Sequence, residues 1–286
     1  MLPFRKILFP VDYSEPCQAV VPYVKDMLRH FTVDLTLVHA YGPGALAYSE
    51  LVAADPNWPE EIQALEDRRL RQFASEKFPE EHVELFAKHG EAGHVIDEVI
   101  RHQGTDLVML PTRGHGPLRR FLLGSVTAKV LHDVSAAVWT GVGSALADHN
   151  PAIPYKSILC ALDETDEAEA VLKAAATIAC TYNADLHLVH AVATPPMALE
   201  IDFSQYRKEL MDAADFRIRE LKAKLGVKAP HSVIDTMVVD GIRQEVLKRK
   251  ADLVVVGRGE AQATFGRVWS VLYPIVRESP CPVLSI

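Results

Sequence analysis

The sequence predicts an α/β chain of two similar halves, each an open parallel five-stranded sheet with helices on both faces. Two observations predict it. The chain repeats itself once, and each copy alternates short apolar runs with longer segments of helical periodicity. KILFPVD at 6–12 reappears as SILCALD at 157–163, and DLTLVHA at 34–40 reappears as DLHLVHA at 185–191, both 151 residues further on. DLVML at 106–110 matches DLVVV at 252–256 with an offset of 146, and Ser125-Val126 matches Ser270-Val271 with an offset of 145. The shrinking offset means shorter loops in the second copy, with the order of elements kept. A chain of 286 residues suits two domains of ~150. The boundaries fall at 1–146 and 152–286, because the Gly- and Pro-bearing stretch at 141–154 reads as an exposed linker.

The elements follow in order. Strands are expected at 5–11, 34–40, 82–88, 106–110 and 136–140, with helices at 15–30, 59–77, 94–103 and 125–133 between them. Unbroken apolar runs such as Leu107-Val108-Met109-Leu110 suit strands buried on both faces. The second copy places strands at 157–162, 185–191, 232–239, 252–256 and 281–286, and helices at 166–181, 202–225, 241–250 and 269–278. Ser14 and Thr165 share a repeat position as N-cap candidates for the first helix of each copy.

Composition removes whole classes of function. With 49% hydrophobic and 24% charged residues the chain has the makings of real cores and is not disordered. A net charge of −8 argues against a surface built to neutralise a nucleic-acid backbone. Cys17, Cys160, Cys180 and Cys281 form no C-x-x-C pair and read as buried free thiols. The apolar run after Arg5-Lys6 is far shorter than a signal peptide requires, and no stretch is long enough to span a bilayer. A cytoplasmic, membrane-free protein is expected.

In open parallel sheets ligands bind beyond the carboxyl ends of the strands. The first strand of each copy ends in an aspartate, Asp12 and Asp163, which suits either a ligand hydroxyl or the turn into the next helix. The loop after the fourth strand, 110–126, combines Gly114, Gly116 and Gly124 with Arg113, Arg119 and Arg120. Its backbone amides could converge on an anion, or it could be a plain solvated connection. No G-x-x-x-x-G-K-[ST] exists in the chain, and Arg119 stands where a G-x-G-x-x-G motif needs its third glycine. His39 and His190 share a repeat position, but strand-end histidines are more often bound to backbone than to metal.

Gly114, nine residues, then Gly124-Ser125, placed after the fourth strand, resembles the nucleotide-binding loop of the universal stress proteins, G-x-x-G-x9-G-[ST]. The strand-end aspartates and the repeat order fit the same family over nearly the whole chain. The resemblance implies two Rossmann-like domains of the adenine nucleotide alpha hydrolase-like kind. It further implies that Pro10, Val11 and Asp12 line the adenosine, with Asp12 on the ribose. Val38 and His39 would lie near adenine, Gly114, Gly124, Ser125 and Val126 would hold the phosphates of ATP, and Leu110, Pro111 and Arg113 would complete the cofactor site, with Mg²⁺ accompanying the nucleotide. Pro111 replaces the loop's first glycine and removes one N–H. In the second copy Val256 stands for the first glycine, Trp269 replaces the helix-start glycine and Glu260 replaces His115, so ATP is not expected there. The family implies pairing through last strands, here 136–140 and 282–286, which would make an intrachain pseudo-dimer, with a homodimer as a further step. The leading expectation is a nucleotide-binding regulatory module of the stress response. A slow ATP hydrolase at the same site and a nucleotide-free scaffold are the alternatives.

Overall fold

A computed structural model describes residues 4–42, 53, 55, 57–112, 123–141, 153–192, 204–258 and 271–286. The chain forms two compact units, Met1–Ala145 and Leu146–Ile286. In the first, β1 (Lys6–Pro10), α1 (Glu15–His30), β2 (Asp34–Tyr41), α2 (Trp58–Lys77), β3 (Val83–His89), α3 (Ala92–Gln103), β4 (Leu107–Leu110), α4 (Ser125–Asp133) and β5 (Ala137–Thr140) follow one another. The strands lie in the order β3-β2-β1-β4-β5, with parallel pairing throughout. The second unit repeats this with β6 (Ser157–Ala161), α5 (Ala168–Tyr182), β7 (Asp185–Ala191), α6 (Ser204–Leu225), β8 (His231–Ile234), α7 (Val238–Arg249), β9 (Leu253–Val256), α8 (Tyr273–Glu278) and β10 (Val283–Ser285). Its parallel order is β8-β7-β6-β9-β10. In each unit the chain leaves the first strand toward one edge and returns to add the fourth on its other side. The crevice between β1 and β4, and between β6 and β9, is therefore the point where strand order reverses.

Consecutive buried residues show that both faces of each sheet are covered. Ile7, Leu8 and Phe9 in β1, all four residues of β4 and all four of β9 are withdrawn from water, as the unbroken apolar runs predict. The repeated aspartates at the fourth strands tie these sheets together. The Asp106 carboxylate accepts the Arg5 and Lys6 amides at 2.8–3.1 Å, and that of Asp252 accepts the Lys156 and Ser157 amides at 2.9 and 3.0 Å.

Several boundaries differ from expectation. Ser14 caps α1 by accepting the Cys17 amide at 3.2 Å, but Thr165 caps nothing: α5 starts at Ala168, and Thr165 Oγ1 bonds to Asp163 instead. Glu91 caps α3, accepting the Gly93 and His94 amides, so the helix begins two residues before the expected start. The strand expected at 232–239 ends at Ile234, because Val238-Val239 opens α7 and does not extend the sheet. Gly241 permits that sharp reversal: a Cβ there would meet Thr236 at 2.5 Å and Ile234 at 2.7 Å. Cys17, Cys160 and Cys281 are buried, but Cys180 is exposed, contrary to expectation. No described helix is long and apolar enough to cross a membrane.

Candidate functional site

The first unit brings the ends of β1, β2 and β4 together at the crevice. Beyond β1, the Val11 amide donates to the Val38 carbonyl at 2.8 Å, extending the pairing by one residue. The chain then turns. Asp12 Oδ1 accepts the Ser14 amide at 3.0 Å and the Ser14 hydroxyl at 2.6 Å, while Ser14 in turn caps α1. Of the two readings of Asp12 from sequence, the turn into the helix is thus present in the structure. His39, at the end of β2, donates from Nδ1 to the Val11 carbonyl at 2.7 Å, since a carbonyl can only accept. Its Nε2 then faces Glu66 Oε2 on α2, 3.4 Å away.

Tyr13 lies over this pair. Its backbone is left-handed at φ 62°, an unfavourable region for a residue with a Cβ. Its ring packs against His39 at 4.7 Å and Phe73 at 5.7 Å, with the Arg69 guanidinium 4.1 Å from the ring centroid. Burial, with a contribution from the Glu66 charge and against that of Arg69, pushes the Tyr13 hydroxyl up to about 12. Tyr13, Glu66, Arg69 and Phe73 were not among the residues singled out from sequence. Their signal is the turn residue that follows each strand-end aspartate, and the aligned Arg69 and Arg217 of the long helices.

Across the crevice, Leu110 is buried at the end of β4, and the Pro111 carbonyl accepts the Thr127 hydroxyl at 2.9 Å. The Gly124 amide donates to the Thr112 carbonyl at 2.9 Å, which draws the start of α4 onto the end of β4. Gly124 is the N-cap of α4 and no side chain caps this helix, so the amides of Ser125 and Val126 open the helix without a side-chain acceptor. Of the expected site residues, Pro10, Val38, His39, Leu110, Ser125 and Val126 therefore lie on β1, β2, β4 or α4, Val11, Asp12 and Pro111 lie directly after β1 or β4, and Gly124 is the N-cap of α4. Arg113 and Gly114 lie outside the described residues, as do Glu260 and Trp269 of the second unit. No cluster of three metal-ligating side chains occurs among the described residues.

The second unit repeats the frame with different contents. Asp163 Oδ1 accepts the Thr165 amide at 3.2 Å and its hydroxyl at 2.6 Å, and His190 Nδ1 donates to the Leu162 carbonyl at 2.8 Å. In place of Tyr13 stands Glu164, ion-paired with Arg217 of α6. Beside them a cavity of about 340 Å³ is lined by Leu162, Asp163, His190, Ala214, Ile218 and Leu221, among others. Arg258, just after β9, is half-buried, and desolvation of its guanidinium brings it down to about 10, against the nearby Glu167 charge.

The family model described as "Universal stress protein family" matches residues 3–140 and again 154–286. This chain belongs to the universal stress protein family. It carries two family domains in tandem, each an open parallel α/β sheet. A universal stress protein of Thermus aquaticus, named for its place in the QAH/OAS sulfhydrylase 3′ region, is 31% identical over 135 residues, 46% of this chain and 98% of its own. The crystal structure of a universal stress protein from Archaeoglobus fulgidus DSM 4304 matches 98% of this chain and 97% of its own, with TM-score 0.69 and 18% identity. A protein of unknown function from Pseudomonas aeruginosa PAO1 matches 99% of this universal stress protein and 92% of itself, with TM-score 0.69 and 16% identity.

Proposed function

We propose that this tandem universal stress protein is a cytoplasmic regulatory module that binds ATP at the β1/β4 crevice of its first unit. The observation that carries the reading is the start of α4: a nine-residue helix with no side-chain cap, drawn onto the end of β4 by the Gly124–Thr112 bond. Its first-turn amides suit phosphate oxygens, which also complement the helix dipole. Pro111 contributes no N–H and its carbonyl is taken by Thr127, so the donors come from the helix start and not from the turn before it. Asp12 and His39 would face the nucleoside, with Mg²⁺ accompanying the phosphates.

The test is the thermal midpoint of the full chain with MgATP. At 100 times its dissociation constant a bound nucleotide stabilises by ~2.7 kcal/mol. Gly124 sits at φ −61° and ψ 144°, which any residue adopts, so Gly124→Leu leaves the backbone intact and puts a side chain where phosphate would lie. The variant is expected to fold as the wild type and to lose the ATP-dependent shift. A wild-type chain whose midpoint ignores MgATP, or a Gly124→Leu chain that keeps the full shift, would overturn the reading.

A further inference from the structure

We infer that His231 of the second unit is a phosphoryl acceptor, taking a phosphoryl group on Nδ1 from a small phosphoramidate or acyl phosphate. The inference lies away from the strand-end crevices and rests on a cluster that only one unit carries. Among the described residues β8 is the outermost strand of its unit, and His231 at its start faces α6. There His231 Nε2 donates to Asp215 Oδ1 at 2.8 Å, and the Lys222 ammonium donates to Nδ1 at 3.2 Å. Arg219 completes the group, its Nε 2.8 Å from Asp215 Oδ2. The first unit has other residues at these places. Leu85 pairs with Leu37, and His231 with Leu188, 151 residues after Leu37, so His231 stands where the first unit has a leucine. On the long helices Asp215 and Lys222 stand 148 residues after Asp67 and Ala74. A leucine and an alanine have thus become a histidine and a lysine around an aspartate that both copies keep. Packing does not account for that exchange, because it replaces apolar groups with polar ones against a sheet face.

The partners fix the tautomer. An ammonium only donates and an ionised carboxylate only accepts, so Nδ1 carries the lone pair and Nε2 the proton. The bond from His231, helped by the Arg219 charge, holds the Asp215 carboxyl below its ordinary value and keeps it ionised. A cation against Nδ1 turns away metal ions and draws anions. The imidazole is therefore a nitrogen nucleophile whose incoming electrophile carries negative charge, as a phosphoryl group does. With phosphoramidate the Nδ1 lone pair attacks phosphorus, the P–N bond breaks, and its electron pair leaves with ammonia. The ring, now substituted at both nitrogens, is positive, and that charge faces Asp215. Lys222 swings off Nδ1 to pair with the phosphoryl oxygens. His94 stands between Glu91 and Lys129 in a similar order, but its side chain is 75% exposed, where water weakens both contacts.

Incubation of the full chain with potassium phosphoramidate at neutral pH, with phosphohistidine mapped by mass spectrometry over time, tests this. The exposed His102 serves as a reference within the same molecule. His231, although its side chain is only 14% exposed, is expected to be labelled about tenfold faster than His102. His231→Gln is expected to remove that fast labelling. Asp215→Asn and Lys222→Glu are each expected to slow labelling at His231 about tenfold and to leave His102 unchanged. A merely structural role for Asp215 or Lys222 predicts the opposite, because loosening α6 exposes His231 and speeds its labelling. A wild-type chain labelled at His102 or His94 before His231, fast labelling that survives His231→Gln, or partner variants labelled at His231 as fast as the wild type or faster would each overturn the inference.

Discussion

Tyr13 holds a left-handed backbone and a hydroxyl that is buried without a partner, two unfavourable features repaid by ring contacts to His39, Phe73 and Arg69. A nucleoside approaching His39 from that side has to turn the ring outward, which lowers its apparent affinity by the fraction of molecules with the ring already out. Tyr13→Ala is thus expected to lose about 1–2 kcal/mol of stability while binding ATP several-fold more tightly. Chemical denaturation and calorimetry read the two effects separately, and weaker ATP binding would make the ring part of the site. His187 illustrates a second residue-scale effect. Burial, then the Arg249 charge, brings this imidazole down to about 4, and its Nε2 bonds to Ser232 at 2.9 Å. Lys248 and His231 push the same way, and only Glu245 opposes them. A neutral folded imidazole contributes stability above the unfolded value of about 6.5 and loses it as pH falls from there toward 4. His187→Gln should flatten the fall in thermal midpoint between those values; a variant that follows the wild-type curve would assign the acid sensitivity elsewhere.

At the scale of elements, Gly241 decides how α7 follows β8. Gly→Ala inside a helix ordinarily stabilises by about 0.5–1 kcal/mol. Here the added Cβ would lie 2.5 Å from the Thr236 methyl, which sits on a short β-branched side chain that cannot swing away. Gly241→Ala is therefore expected to destabilise by about 1–3 kcal/mol in urea denaturation, and a stabilised variant would show that the turn gives way easily. This same turn marks where sequence reasoning stopped. The strand cores were legible because runs such as Leu107–Leu110 carry an unambiguous pattern, and the repeat fixed their order. The start of α7 was not, because Val238-Val239 reads as strand until the packing of Gly241 onto Ile234 is known. Nor was the cap of α3, where Glu91 does what a shorter polar side chain usually does. At the candidate site, the positions of Asp12 and His39 after and at strand ends and of Gly124 at a helix start were legible from the repeat and the loop spacing. Tyr13 with Phe73, and Glu164 with Arg217, were not, because each pair joins residues more than fifty positions apart in sequence.

At the scale of the molecule, the unit proposed to hold an anion is the more acidic. Residues 1–150 carry 14 basic and 20 acidic residues, a net −6, against 16 and 18 in 151–286, a net −2. The far field of the first unit therefore opposes MgATP, and on the proposed reading the attraction comes from short range, at the α4 amides. Screening separates these ranges, because the Debye length is about 10 Å at 0.1 M salt, longer than a hydrogen bond and shorter than the unit. Added salt weakens the distant repulsion first. The association rate constant for MgATP is thus expected to hold or rise between about 0.01 and 0.15 M salt. A site that draws phosphate in with a broad basic surface behaves oppositely, its association slowing steeply over the same range. Stopped-flow measurement of the association rate distinguishes the two, and a steep fall would place the phosphates against a basic surface and not at the start of α4.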